Sequence, residues 1–487
     1  MSKRVDFEGK PFHFIGIGGI GMSALAYILA KRHLPVSGSD LRSTHITQRL
    51  ESVGAWIFNQ QEAANLEFFQ TATRSHSTVA LAAGATATRG TTFGTMAIAP
   101  EPPQVICSTA IRSENQEYCA ALERGYPIFH RSDVLAALMQ EYESIAVAGT
   151  HGKTTTSSLI GYLLLEAGLD PTVVVGGEVD AIGGNARLGE GQYLVAEADE
   201  SDGSLAKMSP AIGVVTNIEL DHPDHYSSLS EVVDIFLTFA AQCPLLVGCI
   251  DCETVRDRLQ PHITYSIQPD RAATYTVTDV IYGSDGTRAQ VWERGLSLGT
   301  FFLPLLGEHN LSNALAAIAV ARQVGVDFAT IATAMRTFAG AKRRFEVRGT
   351  VNGVTLIDDY AHHPSELQVT LAAAKLRVQD QPGQRIIAIF QPHRYSRTQA
   401  FFSEFSQSFQ DADVVIITDI YSAGEPSQEN ITGQALATAI AQHHPQVIYQ
   451  GPLPELKDFL QNFLSPGDFA LFLGAGNLNQ IIPELLA

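Results

Sequence analysis

Residues 144–168 read SIAVAGTHGKTTTSSLIGYLLLEAG. The apolar run SIAVAG (144–149) leads into Gly149 and Gly152, then Lys153, three threonines and an apolar stretch stopped by Gly168. A short apolar run, a glycine turn and helix-forming residues predict a buried parallel strand, a tight loop and a helix over Lys153 to Ala167. At such a junction the first-turn N–H groups and the helix dipole converge on an anion. Gly149 and Gly152 let the backbone of Thr150 and His151 wrap a phosphate, Lys153 neutralises it, and Thr154 reaches a bound divalent cation. The pattern departs from G-x-x-x-x-G-K-[ST] because position 147 is Val.

Outward from this loop, apolar strands recur at 192–198, 212–218 and 245–250 with helical stretches between them. That alternation predicts a mostly parallel α/β sheet. Residues 273–306 change to β-rich runs around Ser284-Asp285-Gly286, an antiparallel meander, and an alanine-rich helix follows over 311–324. Toward the N-terminus, Phe12–Ile15 reads as a strand, the glycine turn GIGGIG (16–21) follows, and a helix runs from about Met22 to Arg32. VICSTAI (105–111) is a further strand, and Ser132–Tyr142 is a helix leaving this domain. Toward the C-terminus, strands fall at 354–360, 385–390, 414–420 and 468–474. The expected fold class is α/β with three domains: Rossmann-like over 1–135, a central phosphate-loop domain over 136–340, and a second Rossmann-like domain over 341–487. Residues 71–104 stand apart, since 16 of the 34 are Ala or Thr, and read as an irregular insertion.

Composition narrows the function. Lys plus Arg is 32 and Asp plus Glu is 51, a formal balance of −19, which disfavours broad binding to nucleic-acid phosphates. Five cysteines make no disulfide framework and fit a reducing cytoplasm. The run FIGIGGIGMSALAYILA (14–30) imitates a signal peptide. Its four glycines argue against a continuous helix, so a cytoplasmic protein without membrane insertion is expected.

GIGGIG with Asp40 some 20 residues on satisfies the dinucleotide fingerprint. The same turn also suits another diphosphate nucleotide, such as a nucleotide-sugar, or a βα junction that needs glycine only for packing. EADESDGS (197–204) and TNIELDHPDHY (216–226) each end a strand, where α/β sheets place ligands. Glu197, Glu200, Asp221, His222, Asp224 and His225 are therefore expected to meet near the phosphate loop and hold Mg²⁺ or Mn²⁺. Cys249-x-x-Cys252 lacks a second pair at zinc spacing and reads as ordinary thiols. In GEHNLSNALAA (307–317), Asn310 or Ser312 could cap the helix, while Asn310 and Asn313 equally offer amides for an adenine edge. Lys342, Arg343, Arg344, Arg394 and Arg397 concentrate positive charge beside strand ends, which predicts recognition of an anionic substrate or intermediate.

Together GIGGIGMSALA, GTHGKTTT, EADESDGS, TNIELDHPDHY, GEHNLSNALAA, FAGAKRRFE, DDYAHHP and HRYSRT run in the order found in the Mur ligases, which the chain resembles over nearly its whole length. The resemblance implies a soluble ATP-dependent amide ligase of peptidoglycan precursor synthesis, a monomer or homodimer. It would join L-alanine to the carboxylate of UDP-N-acetylmuramate through an acyl phosphate. The recycling ligase that adds a whole tripeptide is the alternative. On that reading Gly18, Gly19, Ile20, Gly21, Ser39, Asp40, Ser108 and Thr109 hold the UDP-sugar. ATP lies against Gly149, Thr150, His151, Gly152, Lys153, Thr154, Thr155, His309, Asn310, Asn313, Arg344 and Asp358, with Lys153 also catalytic. Tyr360, His362, Arg394 and Arg397 surround the carboxylate, acyl phosphate and amino acid. Thr154, Glu197 and His222 hold the metal, and His222 or His362 is the base. Three departures stand out: the 71–104 stretch, Thr109 where a second serine is usual, and no lysine between Lys207 and Lys342. The last leaves that stretch no carbamylated lysine of the kind some Mur ligases use to support metal.

Overall fold

The computed structural model describes residues 4–72, 101–381 and 383–487. The expected insertion at 71–104 thus lies largely outside the described residues.

The chain forms two compact units. The first comprises residues up to Tyr142 with 172–176 and 185–190. Its sheet runs Trp56–Phe58, Val36–Ser39, Phe12–Ile15, Gln104–Cys107, Ile128–His130, every pairing parallel. The strand order reverses on either side of Phe12–Ile15, so the glycine turn after it sits at the topological switch point where open α/β sheets bind ligands. The helix after the turn spans Ile20–Lys31, starting two residues earlier than expected because Gly19 serves as its N-cap. The expected strand 105–111 covers only Gln104–Cys107, and Ser108 and Thr109 belong to the loop that follows.

The second unit contains the phosphate loop. Part of its large sheet runs Leu296–Leu303, Gly286–Glu293, Tyr275–Gly283, Ile263–Ser266, Leu245–Cys249, Ile212–Val215, Glu143–Ala148, Tyr193–Glu197. The first three form the expected antiparallel meander, and Ile263 to Glu197 pair in parallel. Helix Lys153–Glu166 is buried all round from Thr154 to Leu164, which is why its sequence lacks an amphipathic stripe. Alanine-rich Glu308–Gln323 packs against it. That helix begins at Glu308, with Gly307 as N-cap, so neither Asn310 nor Ser312 caps it.

A smaller sheet in the same unit runs Glu346–Val351, Val354–Asp359, Phe469–Leu473, Ile386–Phe390, Val414–Ile417, Val447–Tyr449, parallel except for its first pair. Apolar clusters cover both of its faces, one around Phe390, Phe405 and Leu471, the other around Ile389, Phe472 and Ile482. Such a strand reads as an uninterrupted apolar run, as Ile386–Phe390 does.

Candidate functional site

The phosphate loop connects strand Glu143–Ala148 to helix Lys153–Glu166. Gly149 has φ +136, and a Cβ there would stand 2.0 Å from Thr216 Oγ1. Gly152 has φ +82 and no room either, with Asn313 Oδ1 2.4 Å from such a Cβ. Both glycines are thus demanded by backbone conformation and close approach. The loop is further tied to residues 216–219. Thr150 N–H donates to Asn217 O, His151 N–H to Asn217 Oδ1, and Thr216 Oγ1 to His151 O.

Lys153 Nζ donates to Gly149 O at 2.6 Å and Thr150 O at 3.1 Å, and to Glu200 Oε1 at 3.0 Å. Burial works against the ammonium, but Glu200, Asp199 and Glu197 outweigh it and hold Lys153 charged. Thr154 Oγ1 donates to Glu197 Oε2 at 2.9 Å, placing a hydroxyl and a carboxylate side by side next to Lys153.

The six acids and histidines expected to share one cation are divided. Only Glu197 and Glu200 contact the loop. Asp221 Oδ1 instead accepts from Arg397 Nε and Nη2, and Asp224 Oδ2 from Arg394 Nη1 at 2.6 Å. His222 lies 3.5 Å from Asp221 Oδ2, and His225 packs edge-on against Tyr226. The division follows from topology: the 216–226 loop faces the smaller sheet's strand ends, and their arginines claim its aspartates.

A cavity of about 200 Å³ opens between the phosphate loop, the start of helix Glu308–Gln323 and the segments 340–345 and 359–373. It gathers His151, Gly152, Thr155, His309, Asn310, Asn313 and Arg344. Asn310 Nδ2 donates to Leu306 O, and Asn313 Oδ1 accepts from Thr156 Oγ1. Burial, then Arg344, lowers His309 to about 4, so its imidazole is neutral. Asp359 also lines this cavity, whereas Asp358 is buried on the other face of its strand beside Arg343 at 3.4 Å and Arg348 at 3.3 Å. Burial pushes Asp359 up to about 6 against the pull of Arg344.

Glu219 and Glu366 were missed in the sequence. His151 is held between them, its Nδ1 3.3 Å from Glu366 Oε1 and its Nε2 3.5 Å from Glu219 Oε2. Burial opposes the charge of His151, but the two carboxylates win and raise it to about 9. Glu219, paired with His151, falls to about 2. His151, Glu219 and His363 bring one potential ligand atom each within 4.8 Å of one another, close enough to share a metal ion. His151 and its two carboxylates form an ion-pair cluster, and the His363 ring lies 4.8 Å from that of His151.

The expected positive cluster is paired throughout. Lys342 lies 3.3 Å from Asp180, and Arg344 lies 3.7 Å from Glu366. Arg343 and Arg344 also stack over the Tyr360 ring. His362 Nδ1 faces Tyr360 O at 2.8 Å. Burial lowers His362 to about 4 and also lowers His222, leaving both neutral.

In the first unit, Gly16 and Ile17 N–H both donate to Ser39 O, and Gly18 N–H to Asp40 Oδ2 at 2.9 Å. The Ser39 side chain is fully buried. What the turn offers outward is the first-turn amides of the helix at Ile20, which its Gly19 cap leaves without a side-chain acceptor. Cys249 is buried with its thiol pushed up by burial, Cys252 Sγ accepts from Ile218 N–H, and His262 Nδ1 accepts from Leu246 N–H.

A switch-point glycine turn, a phosphate loop and a strand-end cluster of arginines and histidines, in three successive α/β segments, match three family models. These are the Mur ligase family catalytic domain over residues 11–143, the Mur ligase middle domain over 147–321, and the Mur ligase glutamate ligase domain over 343–476. The chain belongs to the Mur ligase family. It is 64% identical to the UDP-N-acetylmuramate–L-alanine ligase of Nostoc punctiforme, covering 100% of this chain and 98% of that one. Identity to the protein of the same name from Gloeothece citriformis is 63%, over 100% and 99%. Among solved structures, the UDP-N-acetylmuramate–alanine ligase MurC of Thermotoga maritima matches with TM-score 0.79 at 28% identity, over 98% of each chain. A murein peptide ligase from Psychrobacter arcticus shares the fold, with TM-score 0.67 at 23% identity over 98% of each.

Proposed function

We propose that this chain joins L-alanine to the carboxylate of UDP-N-acetylmuramate at the expense of ATP, releasing ADP and phosphate. Full-length identity of 59–64% to relatives of that name carries the reading. Tripeptide addition has weaker support, 27% identity over 69% of this chain to a solved UDP-N-acetylmuramate:L-alanyl-γ-D-glutamyl-meso-diaminopimelate ligase of Neisseria meningitides.

A carboxylate is a poor acyl donor. One of its oxygens attacks the γ-phosphorus of ATP, ADP leaves, and an acyl phosphate forms. The alanine amine then attacks the acyl carbon, phosphate departs with that oxygen, and the amine's proton passes to a base. Lys153 supplies fixed positive charge at the loop where phosphate oxygens gather. Asn310, Asn313 and His309 line the cavity that suits the adenine end, and Asp359 rather than Asp358 is the acid that reaches it. Arg394 and Arg397, at the start of the helix Tyr395–Ala400 that follows strand Ile386–Phe390, would receive the carboxylate and acyl phosphate. His362 is the better-placed base. With Nδ1–H engaged by Tyr360 O, its Nε2 is left to accept a proton.

The adjacent Thr154 hydroxyl and Glu197 carboxylate offer oxygen donors that fit Mg²⁺ or Mn²⁺, and we assign His222, which lies against Asp221, as a third ligand. Such an ion would supply charge neutralisation for phosphoryl transfer. The first-turn amides of Ile20 and Gly21 suit the UDP-sugar diphosphate, with Gly18, Gly19, Ser39 and Asp40 shaping the turn and Ser108 and Thr109 on the neighbouring strand's loop. The three family matches support functional boundaries near residues 135 and 340. We place the enzyme in the cytoplasm, making the precursor on which wall growth, cell shape and division depend. No helix among the described residues is long and apolar enough to cross a membrane.

Isotope transfer tests the chemistry. With ¹⁸O in the muramoyl carboxylate, one label should appear in the released phosphate. Unlabelled phosphate would rule out the acyl phosphate.

A further inference from the structure

Beneath the glycine turn of the first unit lies a polar network sealed from solvent. Glu117, on the first turn of helix Gln116–Glu123, is fully buried, as are His13, Ser37 and Ser39. Its Oε1 accepts from His13 Nε2 at 3.1 Å and from Asn65 Nδ2 at 2.6 Å. Its Oε2 accepts from Ser39 Oγ at 2.5 Å. His13 Nδ1 in turn meets Ser37 Oγ at 2.9 Å, across the parallel register that sets His13 opposite Ser37. Asn115 holds the carboxylate in place, since its Oδ1 caps Glu117 N–H and Tyr118 N–H.

Burying a carboxylate is costly, and apolar residues of similar volume commonly serve stability as well or better. The network's output therefore matters more than its strength. That output is Ser39. Its hydroxyl is pinned by Glu117, and its carbonyl receives Gly16 N–H at 2.8 Å and Ile17 N–H at 2.9 Å. The next residue, Asp40, takes Gly18 N–H. Three consecutive amides of the turn are thus fixed by the end of one strand, and that strand end is fixed by Glu117. Gly16, at φ +76, is where the chain swings out of the sheet.

We propose that Glu117 is a positioning residue for the nucleotide-sugar site. It touches no ligand and acts through Ser39 on the glycine turn. This rests on reading that turn as the UDP-sugar diphosphate site. In Glu117→Gln the two donors on Oε1 force the new amide NH₂ toward Ser39. The Ser39 hydroxyl must then turn from donor to acceptor, and the strand end loses its anchor.

Steady-state kinetics with all three substrates, on wild type, E117Q, S39A and the double variant, test the proposal. Each single variant should raise KM for UDP-N-acetylmuramate about tenfold, equivalent to about 1.4 kcal/mol of binding. KM for ATP and L-alanine and kcat should stay within about twofold of wild type, since they depend on the other unit. Because both act through one contact, the double variant should also stand near tenfold, not near a hundredfold. An unchanged KM for the sugar nucleotide in E117Q, or additive effects in the double variant, would overturn the proposal. Should E117Q not fold, S39A alone decides, because it keeps the backbone and deletes only the hydroxyl. A wild-type enzyme indifferent to UDP-N-acetylmuramate would instead remove the functional reading beneath it.

Discussion

Arg397 grips Asp221 through both Nε and Nη2, at 3.0 and 2.9 Å from the same carboxylate oxygen, across 176 residues of sequence. Both side chains are almost wholly buried. The contact ties the loop that follows strand Ile212–Val215 to the helix that follows strand Ile386–Phe390.

Removing one partner of a buried pair leaves the other charge without compensation. Asp221→Ala should lower stability by about 3–5 kcal/mol, read from denaturant unfolding. Burial opposes the charge of Asp221, yet the Arg397 guanidinium holds it well below the usual carboxylate range. A depressed carboxylate stabilises above its unfolded value of about 4 and loses that contribution as pH falls below it. The difference between wild type and Asp221→Ala should therefore be constant from pH 5 to 7 and shrink under stronger acid.

His151 gives the opposite sign. Its two carboxylate partners raise it to about 9, so its contribution is full below its unfolded value near 6.5 and declines as pH rises to about 9. Unfolding midpoints of wild type and His151→Asn should differ most near pH 6 and converge near pH 9.5. A gap that stays constant over that range would show that His151 is not charged in the native state.

Lys153→Ala should cut ADP formation by on the order of 10²–10³-fold, the cost of losing a fixed charge at developing negative oxygens. Calorimetric affinity for UDP-N-acetylmuramate should be nearly unchanged, because the glycine turn lies in the other compact unit. Loss of both on folded protein would contradict separate sites.

At Gly152 any side chain meets Asn313 Oδ1 at 2.4 Å and must adopt φ +82. Gly152→Ala should destabilise by about 1–3 kcal/mol and raise KM for ATP, with KM for the sugar nucleotide unmoved. Denaturation and substrate-dependent kinetics check the two halves.

The strands and the phosphate loop were legible because their signals are local: apolar runs that end in glycine, and a lysine and threonines opening a helix. Partner choice was not. Asp221 and Asp224 look like metal ligands in sequence, and only the approach of Arg397 and Arg394 from far along the chain shows otherwise. Asp358 and Asp359 are adjacent in one strand, so they point to opposite faces, and the sequence alone does not say which face carries the cavity. Glu366 did leave a trace. It stands three residues after His363, with Pro364 between, at the spacing of a capping box, and it hydrogen-bonds back to His363 N–H. Histidine is an uncommon cap, which hid the signal. Glu117 left none, since a buried acid on an amphipathic helix reads like a solvated one.

The most direct test is phosphate release from ATP and Mg²⁺ with UDP-N-acetylmuramate, comparing L-alanine with L-alanyl-γ-D-glutamyl-diaminopimelate. Release that requires both the sugar nucleotide and L-alanine, with little from the tripeptide, is the predicted result. Release supported by the tripeptide and not by L-alanine would contradict the assignment and make this chain a recycling ligase.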